Sequence, residues 1–337
     1  MKSRRVVMHV VYLTLLSLLL PSKQSLALDA SGVSTPPPVS GRRLSDPASI
    51  LPADVLARVE LLRANVEFVR RFVGRQPAPA PLLRVESAQS KEVYSQALNL
   101  ELRANRLAFE QVRIVRAASI PQGQALPAAV FGVVDSALAA VLLVKQDLGI
   151  GNAVAEEQRP ESTTPSEVFN AAVAAGSEIN NVLQQQTSPS EVFRLVTGSV
   201  HYAAALHAAI RKAPSLPTEP AFVPNMMPSD VYGRMVECLG LAAQASAAMG
   251  IETLEFDPGD ELSRRATPND VAVLAALLVE ELSYLHSRVP QAKRPPHAYY
   301  PGVRFPAHVY QRAGLLKRIL EDLVAYGLPS GDTGAGR

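Results

Sequence analysis

Along this chain apolar residues return in a fixed alternation of four and three, eight times over. Each run opens at a valine: Val55, Val93, Val130, Val168, Val192, Val231, Val271 and Val309. Positions 4, 7, 11, 14 and 18 beyond it complete a seam, as in Val55, Val59, Leu62, Val66, Val69 and Val73, or Val271, Ala275, Leu278, Leu282, Leu285 and Val289. Of the 48 positions so defined only Gln111, Gln186, Ser199 and Gly327 are not apolar, in a chain that is 47% hydrophobic. Chance would fill roughly half of them. Such a seam belongs to a helix packed lengthwise on its neighbours, so the pattern predicts eight amphipathic helices of about 22 residues, each roughly 33 Å long.

A start signal precedes every valine, and its fullest form is Thr164-Pro165-Ser166-Glu167-Val168-Phe169. Threonine accepts a hydrogen bond from an early backbone N–H, proline suits the first helical position, and the acid reaches back to close a capping box. Copies begin at Pro52, Pro127, Pro189, Pro228, Pro268 and Pro306, and Ser90 stands in place of proline in one more. The box recurs in full at Ser188 to Glu191 and Thr267 to Asp270, whereas Leu51, Leu126, Met227 and Phe305 supply no capping hydroxyl. Successive copies lie 38, 37, 38, 24, 39, 40 and 38 residues apart, the self-similarity of a helical repeat or a duplicated bundle.

The one short interval divides the chain into two four-helix sets, residues 51–186 and 187–328. There Thr187 and Ser188 alone separate two predicted helices, which calls for a tight antiparallel hairpin. The other connections, of about 15 residues, are long enough to run back along a helix and permit parallel neighbours. Several mix prolines with apolar residues (76–85, 213–227 and 290–305) and are expected to lie extended on helix surfaces. The fold class is therefore all-α: eight amphipathic helices in repeats of about 38 residues, as two bundles or one continuous array.

Outside the repeats, Lys2, Arg4 and Arg5 precede an apolar run from Val6 to Leu20, and Ser25-Leu26-Ala27 offers the small residues of a cleavage site. Residues 1–27 read as an export signal cut after Ala27, which places the mature protein in the periplasm or outside the cell. Residues 28–50 read as a flexible proline- and serine-rich spacer and 329–337 as a loose tail. No later stretch reads as long and apolar enough to span a bilayer, so no membrane span is expected after cleavage. Losing the leader leaves 29 basic against 31 acidic residues. With balanced charge and no tryptophan, the chain lacks the footprint of a nucleic-acid binder.

Candidate chemistry is sparse. The sequence holds no paired zinc ligands, phosphate-cradling loop or nucleophile elbow, so no catalytic residue and no cofactor is assigned. His207 and His286 occupy the same repeat position on the fifth and seventh predicted helices and are weak metal candidates, should those helices be neighbours. His201 faces away from His207, His308 takes the place of a box acid, and Cys238, a seam position, reads as a small buried hydrophobe. Glu156-Glu157, Glu280-Glu281 and Glu321-Asp322 read as solvated charges. These features point to a non-catalytic binding or scaffolding module with a protein partner in the cell envelope. The alternative is an extracytoplasmic sensor-type bundle holding a small ligand between helices.

Overall fold

The structure, a computed structural model, describes residues 50–77, 83, 85–117, 119, 126–154, 162–183, 187–211, 216–254 and 264–326. The predicted leader, most of the spacer, the tail, Gln186, Gly327 and Glu156-Glu157 lie outside these residues. The described residues form eight long helices and no strand: α1 (Pro52–Phe72), α2 (Ser90–Val112), α3 (Pro127–Asp147), α4 (Pro165–Val182), α5 (Pro189–Arg211), α6 (Pro228–Ala248), α7 (Pro268–Ser287) and α8 (Pro306–Tyr326).

In all eight helices the valine and the next four seam positions are buried, Ser199 and Cys238 included. At the sixth position Val73, Leu148, Ile210 and Met249 are half-buried and Gln111 is exposed, while Val289, just beyond α7, stays buried. Packing closes each set into a ring. α1 lies against α3 and α4, which both lie against α2; α5 lies against α7 and α8, which both lie against α6. Both rings therefore have the order first, third, second, fourth.

Within a ring all helices point the same way. Pro52, Ser90, Pro127 and Pro165, with the valines that follow them, line one small cavity at the end of the first set; Pro189, Pro228, Pro268 and Pro306 with their valines line its counterpart in the second. Parallel helices bring four positive dipole ends together, and the acids of the start signal offset them. The acid half of the box is the half that persists. Asp54 and Asp230 accept from the backbone N–H of Leu51 (2.8 Å) and Met227 (2.7 Å), where no hydroxyl is present. At α8 the His308 Nδ1 takes that role, accepting from Phe305 N at 3.2 Å. At the other end, Gly74, Gly149 and Gly250 stand at one repeat position with positive φ, and the next N–H closes on a helix carbonyl in each case.

Long connections make the parallel order possible, and their described residues are tied to helices by hydrogen bonds, although several of their apolar side chains stay exposed. Leu83, Val85 and Ala88 are buried, with Val85 exchanging hydrogen bonds with the Asn170 side chain of α4. The serine of the start signal grips the arriving strand of chain: Ser166 Oγ accepts from Ala88 N and Ser190 Oγ from Arg304 N, both at 2.9 Å. In the second set Gln311 and Arg318 of α8 donate to the carbonyls of Pro220 and Thr218.

Two expectations need correction. α4 and α5 do not pack on each other as a hairpin, because each is saturated by two neighbours in its own ring. The chain does reverse between the sets: Lys91 near the start of α2 meets Glu281 in the second half of α7, while Arg103 further along α2 shares a cavity with Ala272 and Val273 near the start of α7. Opposed sets let their macrodipoles offset one another. Secondly, α3 is long and apolar enough by composition to cross a bilayer. Its apolarity comes from the seam, which is buried against α1 and α2, together with alanines and valines beside it.

Candidate functional site

The histidines singled out above have different partners, although α5 and α7 are ring neighbours. His207 is fully buried, with its Nε2 3.6 Å from the Asp322 carboxylate of α8 and no hydrogen bond to either ring nitrogen. His286 meets the Lys293 carbonyl at 2.9 Å through Nε2 and stacks edge-on with Tyr202. His201 Nδ1 lies 3.0 Å from the Pro296 carbonyl. Among the described residues no group of three His, Cys, Asp or Glu side chains could hold a metal ion. Cys238 is buried with its Sγ 3.5 Å from the Ala313 carbonyl, and burial pushes its thiol up to about 12, far from a reactive thiolate.

The pair Glu280-Glu281 is not solvated. α7 is the second set's contact with α2 of the first, and Glu281 is buried in that junction. Lys91 of α2 donates to Glu281 at 2.8 Å, lies 3.2 Å from its neighbour Glu92, and sits over the Tyr284 ring. Glu92 also accepts from Gln89 N at 2.8 Å as the box acid of α2. One cation thus faces two fully buried carboxyls, with half-buried Glu280 alongside. Burial, then hydrogen bonding to Glu92, raises the Glu281 carboxyl to about 8, with Lys91 pulling the other way. Glu280 rises to about 7, through burial and then the charge of Glu92. Burial acts to lower the Lys91 pKa, but Glu281 and Glu92 outweigh it and hold it above 10.5. The Oε1 atoms of Glu281 and Glu92 are both buried without a hydrogen-bond partner, so a proton held on Glu281 at neutral pH lowers the cost of burying its carboxyl.

Two larger cavities lie between the sets. The two cavities at the ring ends enclose only about 30 and 20 Å³, so neither core has room for a ligand there. A cleft of about 1320 Å³ runs between the polar starts of α2 and α4, with Gln89, Thr164 and Ser166, and the outer face of α6, with Leu239, Gly240 and Ala243. A smaller cavity of about 60 Å³ lies among α2, α4, α5 and α7. No family model matches the chain, and neither the curated proteins nor the solved structures hold a match to it.

Proposed function

We propose that this is an exported, non-catalytic binding or scaffolding module that meets a protein partner of the cell envelope at the N-terminal end of its second helix set. The supporting observation is a pair of connecting segments whose backbones are tied down while their apolar side chains face solvent. Residues 216–227 are held on α8 by Gln311 and Arg318, and the segment ahead of α8 by Ser190. Phe222 and Phe305 both pack on His308, with ring centroids at 5.0 and 5.9 Å, joining the two segments into one surface. Phe222, Val223, Met227, Val303 and Phe305 are all exposed. A contiguous apolar patch marks an interaction site, and ordering it beforehand reduces the entropy lost on binding.

The test is cross-linking of the full chain in an extract of its own envelope, beside a Phe222→Ser/Phe305→Ser variant of unchanged helical content. The expected result is one reproducible cross-linked protein whose yield drops roughly tenfold in the variant. Equal yields from both would overturn the reading. The cleft of about 1320 Å³ supports a second reading, a small ligand held between the sets. A ligand-dependent rise in melting temperature in a metabolite panel, undiminished by the phenylalanine changes, would favour it.

A further inference from the structure

We propose that the cavity among α2, α4, α5 and α7 is a binding site for a small oxyanion of phosphate size. It is walled by Arg103 and Arg106 of α2 and Arg194 of α5, with Glu191 as the one acidic residue in its lining. Glu110 neutralises Arg106 at 2.8 Å. Among the described residues neither Arg103 nor Arg194 makes an ion pair or hydrogen bond, and Glu191 is the one charge that acts on Arg103. Both side chains are half-buried, and an anion in the cavity would give their guanidinium groups the charged hydrogen-bond partner that the fold does not supply.

Arg103 is built into this position. It packs against Gly176 of α4, where a Cβ would collide with its guanidinium group. Burial lowers its pKa, and Glu191 is the one charge that opposes the shift. Asn99 and Asn180 add polar lining, and the first turns of α5 and α7 bring their positive ends to the same wall. The volume of about 60 Å³ has room for roughly four water-sized atoms, matching the four oxygens of phosphate. Planar guanidinium donors suit such an oxyanion. Bound there, it would tie α2 and α4 of one set to α5 and α7 of the other.

The experiment is calorimetric titration of the full chain with inorganic phosphate at constant ionic strength. Saturable one-to-one binding is expected, weakened at least roughly tenfold in Arg103→Gln. Gly176→Ala displaces the arginine while favouring the helix, so it should lose binding with helical content intact. Glu191→Gln keeps a capping-box side chain, removes the one facing carboxylate and should tighten binding. The proposal is overturned if the wild type shows no saturable heat with phosphate, or if Gly176→Ala binds as well as the wild type.

Discussion

The two helix sets share a ring order and a seam, yet fill their middle layers in opposite ways. In the first set the third seam position carries Leu62 and Leu100 on α1 and α2, with Ala137 and Ala175 on α3 and α4; in the second, Ser199 and Cys238 stand on α5 and α6, with Leu278 and Leu316 on α7 and α8. All eight are buried. Given the ring order, each layer places its two large side chains on one diagonal and its two small ones on the other. What is fixed is the sum of volumes in a layer of parallel helices, and either diagonal can hold the large pair. Cys238 is in place as a small side chain opposite Ser199, which accounts for it without any thiol chemistry.

The strongest way to break this equivalence is Leu62→Ala, which leaves three small side chains and one large in the layer. It should cost about 3 kcal/mol in urea unfolding. Transposing the whole layer, with Leu62→Ala and Leu100→Ala together with Ala137→Leu and Ala175→Leu, copies the diagonal of the second set. That variant should recover to within about 1.5 kcal/mol of the wild type. If it unfolds as readily as the single change, the two sets are not interchangeable in packing.

A smaller effect is expected where the sets meet. Between the ordinary Glu range near 4.5 and about 8, the native chain keeps a proton on Glu281 that the unfolded chain releases. The native state binds more protons there, so stability is greatest at the low end of this window and falls as pH rises through it. Glu281→Gln retains a hydrogen-bond donor toward Glu92 and removes this titration. Its stability should then decline only through the contribution of Glu280, which ends near pH 7. Urea midpoints at pH 5, 7 and 8 check this, and a variant with the full wild-type slope would count against a protonated Glu281 at the junction.

The cores were legible because a seam needs only local periodicity, and eight copies repeat it. The junction was not, since Lys91 and Glu281 are 190 residues apart and each reads as an ordinary helix-surface charge. One signal did exist: Val271 to Leu278 is unbroken apolar sequence and buried throughout. A helix apolar on all sides has neighbours on all sides, which marks α7 as the helix that faces both sets. Ring order could not be read from the seam, because the same stripe serves any arrangement of four helices. The serines that hold the connecting chain, Ser166 and Ser190, have backbone partners 78 and 114 residues away, which no local pattern announces.

The smallest expected effect concerns the ring ends. Three of the four starts in each ring carry an acid: Asp54, Glu92 and Glu167 in the first, Glu191, Asp230 and Asp270 in the second. α3 has none in its first turn, and α8 offers His308, whose 3.2 Å bond is longer than the 2.7 and 2.8 Å bonds to Asp230 and Asp54. With four parallel helices, each added anion meets the field of the whole cluster. His308→Asp and Ala129→Asp should each therefore raise stability by about 0.5–1 kcal/mol, with the gain shrinking as salt is added. Equal gains would make the two ends electrostatically alike. A gain from Ala129→Asp combined with a loss from His308→Asp would instead show that His308 matters through its packing on Phe222 and Phe305, and that the second set gave up a better cap to shape its exposed face.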